Sequence, residues 1–139
     1  MSFKECLALG QKYEVIASEK IKVLNNVNIV SFNNDNKYDF VDDKDIKYEV
    51  KYDRMSNKTG NFFVEYECNR NPSGINTSES HFYIFMIDEE EGYMIETTLL
   101  KTFIEDELYT KKVSFTLDNR NMKGYIFNKF SIIEKATKI

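Results

Sequence analysis

Tryptophan is missing from this chain, proline and histidine occur once each, and cysteine occurs twice, at Cys6 and Cys68. Two cysteines are too few for a disulfide framework, and they stand in no metal-ligand spacing. The single histidine, His81, is not read as a base, because a lone histidine is ordinarily structural. No apolar run approaches the roughly 20 residues that cross a bilayer. The opening Met1-Ser2-Phe3-Lys4-Glu5 lacks the charged-then-apolar layout of a secretory signal. A soluble, intracellular protein with no membrane partner is therefore expected. Also absent are a Walker-type phosphate loop, a dinucleotide fingerprint, zinc spacing and a Ser-His-Asp signal. The acidic run Asp88 to Glu91 lacks calcium-loop spacing and reads as a solvated hairpin turn. No repeat, low-complexity tract or linker divides the 139 residues, so residues 1–139 are expected to form one domain.

With 42% apolar and 14% aromatic residues, the chain can bury a sizeable core. Its net charge of −4 weighs against nucleic-acid binding, since a phosphate backbone rewards Lys and Arg. The charge is unevenly spread, however. Residues 88–107 are strongly acidic, with Lys101 their one cation, whereas residues 108–139 are basic through Lys111, Lys112, Arg120, Lys123, Lys129, Lys135 and Lys138. A divalent metal would also offset acidic charge locally, so charge does not exclude DNA or RNA.

Phe3 to Leu24 reads as a helix, with Ser2 as N-cap, Glu5 completing a capping box and Asn25-Asn26 ending it. Val27 to Phe32 is β-rich and too short for a helix. A turn at Asn33 to Asn36, a short strand around Tyr38 to Val41, a turn at Asp42 to Asp45 and an alternating strand from Ile46 to Asp53 follow. Ser56 to Gly60 reads as a loop, Phe62 to Cys68 as a strand and Asn69 to Gly74 as a loop. Strands are expected at residues 82–87 and at Tyr93 to Glu96, around a turn at Glu89 to Gly92. Thr97 or Thr98 would cap a helix over Leu99 to Leu108, and Gly124 to Ile133 reads as a last strand. This order implies an α/β fold of the mixed α+β kind.

One segment carries chemistry. On the strand from Ile46 to Asp53, Tyr48, Val50 and Tyr52 share a face with Ile46, while Lys47, Glu49, Lys51 and Asp53 share the other. Alternating charges on a strand are ordinarily a solvated face. Asp39 changes that reading. If the strands flanking Asp42 to Asp45 form a hairpin, Asp39 falls opposite Glu49 or one residue away. Two carboxylates with Cβ atoms about 5 Å apart are unfavourable there and want a cation. Mg²⁺ takes oxygen ligands, commonly one or two carboxylates plus water and substrate phosphate. A lysine beside it can stabilise phosphate charge or orient the attacking water, which suits metal-assisted phosphodiester hydrolysis.

Glu14 adds an independent candidate. Phe3, Leu7, Gly10, Glu14, Ala17, Ile21 and Leu24 share one helical stripe, and Glu14 is its one charged member. A carboxylate facing a core is costly unless it is paired or binds metal. Glu14 therefore sits at the stripe's edge, pairs with a lysine such as Lys51, or reaches the site. The run Lys58-Thr59-Gly60-Asn61 offers a cation, a hydroxyl and an amide suited to phosphate contacts, although Thr-Gly-Asn is also an ordinary turn.

These residues resemble the PD-(D/E)XK nuclease superfamily, and in size and layout its archaeal-type Holliday junction resolvases and small phage or viral nucleases. The family pattern is an acidic residue on the first helix, an Asp on the second strand and Glu/Asp-x-Lys on the third. Glu14, Asp39 and Glu49-Val50-Lys51 are similar to it, with Tyr38 where the family's Pro would stand. The resemblance spans roughly residues 3 to 110. It implies a restriction-endonuclease-like core, an N-terminal helix followed by a mixed central sheet flanked by helices. It further implies a Mg²⁺- or Mn²⁺-dependent endodeoxyribonuclease, possible homodimers and a place in the cytoplasm or nucleus of a host cell. Asp39, Glu49 and the Val50 carbonyl would hold metal, Lys51 would assist the nucleophilic water, and Glu14 would bind metal through water or anchor Lys51. The family often has a further polar residue on the next strand, for which Glu65 is the candidate. The small-residue stretch Ser73 to Ser80 is similar to one that lies near DNA in phage nucleases, which makes Ser78 and Ser80 substrate-binding candidates beside Lys58, Thr59 and Asn61. The alternative is a non-catalytic nucleic-acid-binding or protein-interaction module on the same fold.

Overall fold

A computed structural model describes residues 3–33 and 35–139; Ser2, the expected N-cap, and Asn34, in the expected first turn, lie outside them. The first helix, α1 (Phe3–Asn25), contains no proline, and Lys22 in its last turn suits the negative end of the helix dipole. Its middle turns bury Tyr13, Ala17, Ser18 and Ile21, and Tyr13 stacks on Tyr52 with ring centroids 3.8 Å apart. The expected stripe is only partly buried. Leu7 and Leu24 are 51% and 47% exposed, because the two ends of α1 overhang the sheet that its middle covers.

Six strands form the sheet beneath α1: β1 (Ile29–Phe32), β2 (Phe40–Asp42), β3 (Lys47–Tyr52), β6 (Phe82–Met86), β7 (Gly92–Glu96) and β10 (Thr137–Lys138), in that spatial order. All neighbours are antiparallel except β3 and β6, which run parallel. Parallel neighbours need a long crossover, and here it carries two of the four strands of a second sheet. From β3 the chain passes through the single turn α2 (Ser56–Thr59), then β4 (Asn61–Cys68), β5 (Asn71–Pro72) and a 3₁₀ turn at Gly74–Asn76 before returning to β6. After β7 come α3 (Thr97–Glu105), β8 (Lys111–Leu117), β9 (Arg120–Asn128) and α4 (Lys129–Ile133). The second sheet has the order β5-β4-β9-β8 and is antiparallel throughout. The fold is thus mixed α+β.

Two apolar layers hold these parts together. Between α1 and the large sheet lie Tyr13, Ala17, Ile21, Phe40, Tyr48, Val50, Ile84 and Met86. On the sheet's other face, Tyr83, Phe85, Tyr93 and Ile95 meet Phe62, Val64 and Phe127 of the small sheet and Leu100 and Phe103 of α3. Because β3 and β6 are covered on both faces, β6 reads as a continuous apolar run instead of an alternating one.

Several boundaries depart from the sequence reading, each for a local reason. Ser56 to Gly60 is one helical turn, closed by Gly60 at φ +74°, whose N–H bonds the Ser56 carbonyl. Thr97 caps nothing; its hydroxyl bonds Ser80 at 3.0 Å, and Glu96 takes the N-cap position of a helix that ends at Glu105. The expected strand from Gly124 to Ile133 stops at Asn128, whose side chain accepts the Phe130 N–H and starts α4. Strand β8 was not expected, and it turns into β9 through Asp118-Asn119, both at positive φ. Asn69 to Gly74, expected as loop, contains β5.

Candidate functional site

The β2–β3 hairpin sets the site. Phe40 pairs with Tyr48 and Val41 with Lys47; Asp39 stands just before β2, where its N–H bonds the Tyr48 carbonyl at 2.8 Å and breaks the regular register beside Glu49. The turn that fixes this register is built by Asp42, whose Oδ1 accepts the N–H groups of Lys44 and Ile46 at 2.8 and 3.0 Å, and by Asp45 at φ +61°. Asp39 then substitutes a side chain for part of the ladder. Its Oδ2 accepts the Val50 N–H at 2.7 Å, while its own carbonyl accepts the Asn33 N–H at 2.8 Å. The carboxylate is thereby fixed in the plane of the sheet beside β3. The N–H and C=O of a strand residue point the same way, so the Val50 carbonyl faces the same gap.

Glu49 is 7% exposed and so does not belong to a solvated charged face. Lys51, two residues on, lies 3.5 Å from its carboxylate. A cavity of about 430 Å³ opens over these groups, walled by Glu14, Gly10 and Leu7 of α1 and by Asp39, Glu49, Val50, Lys51 and Arg54. The overhanging N-terminal half of α1 therefore forms one wall, which explains why Glu14 interrupts an otherwise apolar stripe.

The electrostatics are those of crowded carboxylates. Burial raises Glu49 to about 8, and the charge and hydrogen bond of Asp39 add to the rise while Lys51 opposes it. Asp39 is raised by burial, against the hydrogen bonds from Glu49 and the Val50 N–H and the charge of Lys51. Burial raises Glu14 too, with the Glu49 charge acting in the same direction and an Asp39 hydrogen bond opposing it. Glu49 is thus pushed toward its neutral form beside Asp39. Lys51 goes the other way: Glu49 holds its ammonium well above the ordinary lysine value.

Two carboxyl groups crowded in this way mark a place that a cation can take. Two carboxylates and a carbonyl are hard oxygen donors of the kind Mg²⁺ or Mn²⁺ accepts, with waters completing the shell. Among the described residues, no group of three His, Cys, Asp or Glu side chains is arranged to hold a metal ion. The hard oxygen donors that the cavity offers are the carboxyl groups of Asp39 and Glu49 and the Val50 carbonyl.

The other sequence candidates lie apart from this cavity. Glu65 is near enough for its charge to act on Lys51. Thr59 and Asn61 line a separate hollow with Asp53, Phe63 and Lys111; the Thr59 hydroxyl bonds the Met55 carbonyl at 3.0 Å, and Lys58 is exposed on α2. Ser78 and Ser80 are buried in a hydroxyl chain, 2.8 Å from each other, that runs on to Thr97. His81 is structural: its Nδ1 accepts the Lys47 N–H at 2.9 Å, bracing the start of β3. Sequence reasoning missed Arg54 and Gln11, which line the cavity, and Tyr83, which stands beside Glu49 on β6. A basic residue three positions after Lys51 was a signal for Arg54; none existed for Tyr83.

No helix among the described residues is long and apolar enough to cross a membrane. Comparison of the chain with protein-family models, curated proteins and solved structures returns no match.

Proposed function

We propose that this protein is a metal-dependent endonuclease that hydrolyses nucleic-acid phosphodiester bonds, DNA in the first place, on a restriction-endonuclease-like core. The observation that carries the reading is the convergence of Glu14, Asp39, Glu49 and Lys51, four residues spread over 38 positions of sequence, on one cavity. Their order along the first helix, at the entry to the second strand and on the third strand supports the reading, since it follows the pattern that the sequence resembles.

Asp39, Glu49 and the Val50 carbonyl would hold Mg²⁺ or Mn²⁺. An ion bound there would polarise a phosphoryl oxygen and acidify a water. The chain's own groups have distinct tasks. Asp39 is preset by the Val50 N–H, so ordering it on binding costs little. Glu49 must release its proton before it can act as a ligand. Lys51 stays charged across the physiological range, so it serves as a cation facing the phosphate or as a donor orienting water, not as a general base. Glu14, on the α1 wall, binds metal through water or anchors Lys51. A two-fold dimer would match a two-fold branched substrate such as a four-way junction.

The test is cleavage of labelled duplex, single-stranded and four-way-junction DNA with Mg²⁺, Mn²⁺ or EDTA, for wild type, Lys51→Ala and Asp39→Ala. Cutting that needs metal and falls about a hundredfold or more in both variants is expected, the scale of a lost electrostatic contribution at a reacting centre. No cutting by wild type, with no heat of metal binding in calorimetry, would turn the reading to an interaction module.

A further inference from the structure

In the parallel pairing of β3 and β6, Tyr83 lies directly beside Glu49. On its other side Glu49 has the Asp39 carboxyl as a side-chain neighbour. Residues level with one another in a sheet point to the same face, so the Glu49 and Tyr83 side chains share one. Tyr83 is 1% exposed, and its hydroxyl has no hydrogen-bond partner among the described residues. Buried hydroxyls are nearly always paired, and each orphan requires an explanation. The ring of Tyr83 packs in the apolar layer against Phe85, but the charges of Lys51, Glu49, Asp39 and Glu65 all bear on its hydroxyl. The orphaned oxygen is therefore at the edge of the charged cluster.

Lys51 has one ion-pair partner in the cluster, Glu49 at 3.5 Å. Glu49 is also one of the two carboxylates assigned above to the cation, and a carboxylate that gives its oxygens to a metal holds a neighbouring ammonium less well. We propose that Tyr83 is a positioning residue whose hydroxyl, backed by Glu65, takes over the Lys51 ammonium when Glu49 turns to a divalent cation. The phenol oxygen accepts from the ammonium, and the phenol O–H donates toward the Glu65 carboxylate or an ordered water. The hydroxyl is thus unpaired in the metal-free protein and paired in the loaded one, and Lys51 keeps its place facing the phosphate. This inference rests on the metal-site reading of Asp39 and Glu49.

Calorimetric titration with Mn²⁺ of wild type, Tyr83→Phe, Lys51→Met and the double variant tests it, together with thermal unfolding in EDTA. Tyr83→Phe should bind Mn²⁺ about tenfold more weakly, the loss of one hydrogen bond to a charged group. In the Lys51→Met background the same change should have no effect. Without metal, Tyr83→Phe should melt at the wild-type temperature or above it, because it removes an unpaired buried group; a hydroxyl with a merely structural role would lower the melting temperature. The ¹H–¹⁵N signal of the Lys51 ammonium in the Mg²⁺-loaded protein should shift in Tyr83→Phe. Equal Mn²⁺ affinity in wild type and Tyr83→Phe, or a weakening that persists without Lys51, overturns the inference and leaves the metal site standing. Failure of wild type to bind Mn²⁺ overturns both.

Discussion

Burial presses Glu49 toward its neutral form, Asp39 presses the same way, and Lys51 opposes them both. The balance has a consequence for stability. An ordinary glutamate in the unfolded chain releases its proton near 4.5, whereas folded Glu49 keeps it to about 8. Between those values the folded protein binds more protons than the unfolded one, so stability falls as pH rises through that window. Below it the contribution is fully present, and above about 8 both states are ionised and the dependence ends. Asp39 and Glu14 are raised as well and act with the same sign. Metal-free wild type should therefore melt at a lower temperature at pH 8 than at pH 5.5. Glu49→Gln, which mimics the protonated side chain, should be the more stable protein at pH 8 and show a flatter profile. Parallel melting curves for the two proteins across that range would mean that Glu49 is ionised throughout. At this scale the sequence disclosed Asp39 and Glu49 because a tight turn relates them locally, and the register follows from Asp42 and Asp45. Tyr83 was hidden because its partnership with Glu49 depends on a parallel pairing across a crossover of about 30 residues, and no local pattern encodes such a pairing.

At the level of elements, the contact that fastens the small sheet to the large one is aromatic. Phe62 of β4 is fully buried and stacks on Phe85 of β6 with centroids 4.6 Å apart and planes 8° from parallel. Phe62→Ala should cost about 3–5 kcal/mol, from lost burial and the cavity left behind. It would appear as a lower denaturant midpoint in urea, with Mn²⁺ affinity below the transition unchanged because Phe62 lines no part of the carboxylate cavity. A midpoint within error of wild type would mean that the two sheets are held by something other than this layer. The central elements were legible because α1, the β2–β3 hairpin and the β6–β7 hairpin each carry their own periodicity and turn residues. The tail was not. The apolar residues Ile126, Phe127, Phe130, Ile132 and Ile133 read as one strand, and the Asn128 side chain bonding the Phe130 N–H, with the Ser131 hydroxyl on the Asn128 carbonyl, divides strand from helix. Strand β8 was equally obscure: it forms the outer edge of the small sheet, and its exposed Phe115 and Leu117 give no buried alternation to detect.

For the molecule as a whole, the carboxylate cluster is a local cost that the rest of the fold sustains. Three buried or half-buried carboxyl groups, one lysine and an orphaned tyrosine hydroxyl meet where α1, the large sheet and the chain leading to the small sheet come together. Such an arrangement weakens the folded state in the absence of a ligand and gives a ligand something to repair. A cation that binds the folded protein alone stabilises it by RT ln(1 + [L]/Kd), about 2.7 kcal/mol at a hundredfold excess over Kd. For a chain of 139 residues that corresponds to a rise of roughly 10 °C in melting temperature. The rise should be larger at pH 8 than at pH 6, because protons on Glu49 compete with the ion at the lower pH. EDTA should reverse it, and Asp39→Ala should abolish it while leaving the fold intact by circular dichroism. Scanning calorimetry with and without Mn²⁺ at both pH values decides the matter. A rise that is equal at the two pH values, or that survives Asp39→Ala, would place the cation elsewhere on an acidic surface and take the carboxylate pair out of the mechanism.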